Sequence, residues 1–162
     1  MINEGKKFEQ DFSSSFSDEY WVYRLRDNAA SFGNNCNTRF TSSNICDYII
    51  LHDSSKTLYL LEMKSTKSNS MSLSMIRENQ IQGLINASDH RLFAGFVCNF
   101  RNENNDTFFI QINDFVNMME NINKKSFNIN DLIKNNAIRI RSKKKRTRYI
   151  YDVDNFVCNL HL

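Results

Sequence analysis

Ile45-Cys46-Asp47-Tyr48-Ile49-Ile50-Leu51-His52, followed after Asp53-Ser54-Ser55-Lys56 by Thr57-Leu58-Tyr59-Leu60-Leu61-Glu62-Met63-Lys64, is the stretch on which the fold turns. Both runs are apolar and rich in β-branched and aromatic residues, and the four polar residues between them suit a hairpin turn. Side chains alternate between the faces of a strand, so Glu62 and Lys64, two apart, project to one side. A strand paired alongside brings Asp47 next to them. Charge at the end of an apolar strand is costly to desolvate unless it is paired or bound to metal.

The acid-x-Lys spacing alone carries little weight. With 18 acidic residues and 11 lysines in 162 residues, it is expected by chance about once in the chain. Glu4-Gly5-Lys6 is a second copy, in a polar stretch with no strand around it, and reads as solvated. The competing reading of Glu62-Met63-Lys64 is an edge strand whose two charges face water.

Upstream, Phe8, Phe12 and Phe16 fall at i, i+4 and i+8 within Gly5–Phe16, the stripe of an amphipathic helix. Glu9 lies next to that stripe and can reach inward, whereas Lys6 and Lys7 face solvent. Tyr20–Leu25 is aromatic and reads as a strand. Asp27–Asn44 is polar and reads as a long loop, a length that in a small domain signals function or disorder.

Downstream, Leu73, Ile76, Ile81, Leu84 and Ile85 give Leu73–Asn86 a helical spacing behind a serine-rich cap. Leu92–Phe100 and Thr107–Ile112 read as strands around the turn Asn102–Asp106. A helix is expected from Asn113, a shorter one over Asn128–Lys134, and a basic hairpin (137–153) between Ala137–Ile140 and Tyr149–Val153. The order α β loop β β α β β α α β β, without repeats, predicts an α/β fold. One domain over residues 1–162 is expected, a mixed central β-sheet flanked by α-helices.

At 41% hydrophobic, with 13 Phe, the chain has the apolar material for a single core. Its formal net charge is only +3, yet Arg139–Arg148 holds seven of the 21 basic residues and no acid. Such a run suits phosphate contact, with a solvated turn as the competing reading. Cys36, Cys46, Cys98 and Cys158 show no Cys-x-x-Cys spacing, and His52, His90 and His161 are scattered, which argues against zinc. Cys46 and Cys98, inside apolar runs, are expected to be buried thiols. No run approaches the ~18 apolar residues of a bilayer span, and the amino terminus does not read as a signal peptide. The expectation is no membrane partner and a cytoplasmic setting.

Two carboxylates and an ammonium in one pocket can hold Mg²⁺ or Mn²⁺ against a phosphodiester and place a charged group beside the attacking water. Asp47, Glu62 and a backbone carbonyl of the second strand, taken as that of Met63, are the expected metal ligands. Lys64 orients or deprotonates the water, or pairs with the phosphate. Glu9 is either a further metal-side acid or an ordinary helix-surface one, and Gln80 either holds water or phosphate or lies exposed. Arg24 and the basic run, with Lys143, Lys144, Lys145 and Arg146 at its centre, are expected on the DNA backbone.

Helix, hairpin bearing Asp…Glu-x-Lys, helix, strand is the core order of the PD-(D/E)XK nuclease superfamily, which the chain resembles. Its "PD" element is Cys46-Asp47, without the proline. Across most of its length the chain is similar to RecU-type Holliday junction resolvases, including phage-encoded relatives. The matching pieces are Gly5-Lys6-Lys7-Phe8-Glu9, Tyr23-Arg24-Leu25-Arg26-Asp27 and Ser43-Asn44-Ile45-Cys46-Asp47-Tyr48. They continue as Leu61-Glu62-Met63-Lys64-Ser65, Asn79-Gln80-Ile81-Gln82-Gly83-Leu84 and Ala94-Gly95-Phe96-Val97.

The resemblance implies a restriction-endonuclease-like core, a homodimer, and Mg²⁺-dependent incision of four-way DNA junctions. By it, Asp47 and Glu62 match metal ligands and Lys64 the catalytic lysine. Glu9 matches the acid of the amino-terminal helix, and Gln80 the polar residue on the helix after the Glu-x-Lys strand. One departure stands out. The stalk-like insertion that RecU proteins carry before the metal-binding Asp corresponds to Asp27–Asn44, which lacks the family's typical residues. The alternatives are a nuclease of the same superfamily with a restriction-type or end-processing target, and a catalytically silent DNA-binding module of the same fold.

Overall fold

The computed structural model describes residues 3–26 and 44–161. The expected loop Asp27–Asn44 and Cys36 fall outside them, Asn44 excepted. Helix α1 (Glu4–Ser13) starts where the Asn3 side chain accepts the Gly5 N–H at 2.9 Å, and it buries Phe8 and Phe12. Strands β1 (Tyr20–Arg24), β2 (Tyr48–His52) and β3 (Thr57–Thr66) follow as antiparallel neighbours. The short β4 (Ser70–Ser72) and a 3₁₀ turn at Leu73–Met75 lead into α2 (Glu78–Asp89). This helix crosses over to β5 (Phe93–Phe100), which lies parallel to β3 with Phe96 opposite Glu62.

Then come β6 (Asp106–Gln111), α3 (Ile112–Asn121), β7 (Ser126–Asn128), α4 (Ile129–Lys134) and β8 (Ile138–Ile140). A hairpin, β9 (Ser142–Lys145) and β10 (Arg148–Tyr151), and α5 (Val153–Leu160) end the chain. The central sheet is mixed, six strands in the order β1-β2-β3-β5-β6-β8, with β4 and β7 paired separately. Strand alternation divides the core between its two faces. Leu60, Phe96, Cys98, Leu84 and Phe115 pack on the side of α2 and α3. Leu61, Met63, Val97, Phe109, Phe8, Phe12 and Phe156 pack on the side of α1 and α5. Among the described residues no helix is long and apolar enough to cross a membrane.

The α/β class, the mixed sheet and the β2–β3 hairpin agree with the sequence reading. Three local assignments differ. The helix expected over Leu73–Asn86 starts later, because Leu73–Met75 forms a 3₁₀ turn and the Gln80 side chain accepts the Arg77 N–H at 3.2 Å at the true start. The basic hairpin does not join Ala137–Ile140 to Tyr149–Val153. Ile138–Ile140 instead edges the central sheet against β6, and β10 pairs with β9, Lys145 opposite Arg148. A two-residue turn with Arg146 at φ 58° closes that hairpin, so the basic run is itself a strand. Finally, α5 buries Val153, Phe156, Val157 and Leu160, an i, i+3, i+4, i+7 stripe that the sequence reading left unassigned.

Candidate active site

β3 outruns β2. Their last pair is Tyr48 with Leu61, and Asp47 extends it, donating its N–H to the Leu61 carbonyl at 3.1 Å and accepting from the Leu25 N–H at 2.8 Å. This register sets Asp47 opposite Glu62. One residue further on, β2 no longer supplies a partner, and the Asp47 Oδ2 accepts the Met63 N–H at 2.8 Å. A carboxylate thus replaces the missing strand, which fixes its orientation.

Glu62 points to the α2 face and is only 4% exposed. Its Oε1 accepts from Lys64 Nζ at 2.8 Å and from Gln80 Nε2 at 2.5 Å. The Gln80 Oε1 in turn accepts from Lys64 Nζ at 3.1 Å and from the Arg77 N–H at 3.2 Å. Three side chains therefore close a ring anchored to the first turn of α2. Gly83, one turn on, makes that docking possible. A Cβ there would stand 2.3 Å from Ile45 Cγ2, so only glycine lets α2 lie against the segment that leads into Asp47.

Burial, and then the charge of Asp47, push the Glu62 carboxyl up to about 7, against the pull of Lys64 and Gln80. Both Lys64 and Gln80 are spent on Oε1, and Oε2 takes no hydrogen bond among the described residues. The neighbouring Cys46, 1% exposed, donates to the Tyr48 carbonyl at 3.5 Å. Its thiol is pushed up to about 12 by burial and then by Glu62 and Asp47. Among the described residues the cleft gathers two carboxylates and one ammonium, and its available donors are oxygens. Such a donor set fits a hard divalent ion, Mg²⁺ or Mn²⁺, which Asp47, Glu62 and the Met63 carbonyl would hold.

Asp47, Glu62, Lys64 and Gln80 are thus gathered, and Gln80 is buried rather than exposed. Glu9 is apart from them, with Arg24 and Tyr48 as partners. It sits on α1, on the other side of the sheet, where its Oε2 accepts from Arg24 Nη2 at 2.9 Å and Nε at 3.3 Å. Its carbonyl accepts from the Tyr48 hydroxyl at 3.4 Å. Lys143, Lys144 and Lys145 lie in β9, and Arg146 in the turn, all exposed, in a two-stranded sheet separate from the one that carries Glu62.

Two groups escaped the sequence reading. Asp11, 6% exposed, holds the basic hairpin to α1 by bonding Arg148 and accepting the Tyr149 N–H at 3.0 Å. Its place three residues after Phe8, on the buried stripe, is the signal. Asn99 donates to Asn105 Oδ1 and Thr107 Oγ1, both at 2.9 Å, and accepts from Ser65 Oγ at 3.0 Å. Asn105 donates on to the Tyr151 hydroxyl at 3.0 Å and Ser142 Oγ at 3.1 Å. A buried polar chain therefore joins the strand of Lys64 to the hairpin, and an asparagine inside apolar Leu92–Phe100 announces it.

A family model described as Recombination protein U matches residues 24–155. The SPbeta prophage-derived uncharacterized protein YotM of Bacillus subtilis (strain 168) is 31% identical over 165 residues, covering 92% of this chain and 82% of that protein. Among solved structures, Archaeoglobus fulgidus Hjc, a Holliday junction resolvase from an archaeal hyperthermophile, matches at 12% identity and a TM-score of 0.45, covering 75% of this chain and 83% of its own. The matched segment spans Asp47, β3 and α2, and so all four gathered side chains, together with the whole basic hairpin. On this match and the prophage relative, the chain belongs to the Recombination protein U family of Holliday junction resolvases.

Proposed function

We propose that the chain is a Mg²⁺-dependent (or Mn²⁺-dependent), structure-selective DNA endonuclease that resolves four-way junctions by phosphodiester hydrolysis. In this reading residues 1–162 form one nuclease domain that works as a homodimer, since two sites related by a twofold axis suit a junction of similar symmetry. A DNA substrate places it in the cytoplasm of a bacterium or a phage-infected cell. One observation carries the reading: Asp47 and Glu62 stand opposite each other on neighbouring strands, with Lys64 and Gln80 bonded to a single Glu62 oxygen.

When bound, the divalent ion polarises the scissile phosphate and lowers the pKa of a coordinated water. Asp47 is held ready by the Met63 N–H, and Glu62 by Lys64 and Gln80, so neither carboxylate needs to reorganise during the reaction. Lys64, already a donor to two oxygens, turns that donor on the phosphoryl oxygens or the attacking water. Gln80 keeps Glu62 in place and can hold the water. Arg24, oriented by Glu9, contacts the DNA backbone, as do Lys143, Lys144, Lys145 and Arg146.

The test is incubation with a synthetic four-way junction, a linear duplex and a single strand, each with Mg²⁺, for wild type and Asp47→Asn. Paired symmetric incision of the junction alone, absent in the variant, is expected. Equal cutting of the linear duplex would assign the chain another target of the superfamily. Binding without cutting would make it a silent DNA-binding module.

A further inference from the structure

On the sheet face opposite Glu62, a cavity of about 230 Å³ is lined by cations from three elements: Lys7 of α1, Arg101 after β5 and Lys144 of β9. Among the described residues none of the three is in an ion pair. Asp11 also lines the cavity, but its carboxylate is committed to Arg148 and the Tyr149 N–H. That leaves Glu4, exposed in the first turn of α1, as the only uncommitted acid against three cations. Like charges held around a small cavity repel one another, so the arrangement is stabilised by an anion from outside the protein.

Arg101 and Asn105 are fixed parts of the wall. Arg101 is pinned by its own N–H to the Thr66 carbonyl and by Nη1 to Ser65 Oγ, both at 2.8 Å. Asn105, buried beneath, is fully engaged with Asn99, Tyr151 and Ser142. Strand alternation gives Lys144 the face of Ser142, toward the cavity, and leaves Lys143 and Lys145 on the other face of β9. The basic run is therefore divided between two surfaces.

We infer that this cavity binds one phosphate of the DNA backbone, distinct from the scissile one, through Lys7, Arg101 and Lys144. The identity of the ligand rests on the nuclease reading above; the cavity's preference for an anion does not. Because Arg101 is tied to Ser65, the residue after Lys64, the strand held here is positioned relative to the site of incision.

The experiment measures binding of the full-length protein, in EDTA, to four-way junctions in which a methylphosphonate neutralises one phosphate at a time. In wild type, one non-scissile position should weaken binding, and that effect should vanish in Lys144→Gln and in Lys7→Gln while persisting in Lys143→Gln. Even the Lys7→Gln, Lys144→Gln double variant should lower the salt slope of binding by no more than about 0.9, since both lysines meet the same phosphate. Junction binding in which no phosphate loses its effect in Lys144→Gln and Lys7→Gln would overturn the inference and leave the nuclease reading standing. Failure to bind DNA at all would overturn both.

Discussion

The Glu62 ring and the β9–β10 hairpin are both built of charge, and they obey different rules. In the ring, Glu62 and Lys64 have side chains only 5% and 11% exposed, and each is bonded at least twice. In the hairpin, Arg148 is 47% exposed, and the lysines of β9 have no carboxylate partner among the described residues. Buried charge must find partners or be neutralised, so its geometry is over-determined. Exposed charge is solvated in any arrangement, and its position is set by what anchors the backbone beneath it, here Asp11 and Ser15.

The largest expected effect lies in the ring. Asp47→Asn and Glu62→Gln should each lower cleavage by at least ~10²-fold, the scale of losing one fixed electrostatic contact in a transition state, with junction binding retained. A quench-flow or gel assay at saturating Mg²⁺ reads this, and near-wild-type cutting by either variant would erase the contrast between the two regions.

Next comes acidity. Glu62 is raised in the folded state from 4.5 to about 7, so the folded protein holds its proton where the unfolded chain has released it. Stability contributed at low pH is therefore lost as pH rises through that window, by on the order of 3 kcal/mol for metal-free protein. In EDTA, Glu62→Gln should flatten this dependence and melt higher than wild type at pH 8. Parallel melting curves from pH 5 to pH 8 would mean that Lys64 and Gln80 already compensate the carboxylate.

Gly83→Ala ranks third. The added methyl meets Ile45, and overpacking of this kind costs about 1–3 kcal/mol. Calorimetry should show the lost stability, and kcat should fall as Gln80 is pushed from Glu62. Unchanged kcat would separate the ring from the α2 docking. Smallest per residue is the hairpin. Neutralising Lys143, Lys144 and Lys145 should weaken binding to all DNAs and flatten the salt slope by about 0.9 for each lysine that meets a phosphate. An unaltered slope would return the hairpin to a solvated turn.

The same contrast governs what was legible in the sequence. Asp47, Glu62 and Lys64 were readable because acid inside β-branched runs demands an explanation, and period-two alternation put Glu62 and Lys64 on one face. The ring through Gln80 was accessible by resemblance alone, since a helix glutamine looks the same buried or exposed. The hairpin register was hidden because Lys143, Lys144 and Lys145 carry no apolar alternation that says which face is inward. Its true signals, Asp11 on a buried helix stripe and tyrosines at 149 and 151, lie far apart or on the partner strand. Glu9, beside the phenylalanine stripe, does reach inward, and its carboxylate accepts from Arg24 across the α1–β1 corner.

Cys46 stands beside Asp47, where a thiolate would draw soft ions such as zinc, cadmium or copper in place of the hard ion proposed above. Its pKa of about 12 keeps the sulfur protonated, and burial shields it from alkylating and oxidising reagents. The chemistry of the pocket is thus insulated from thiophilic poisons by the same desolvation that makes Glu62 reluctant to ionise.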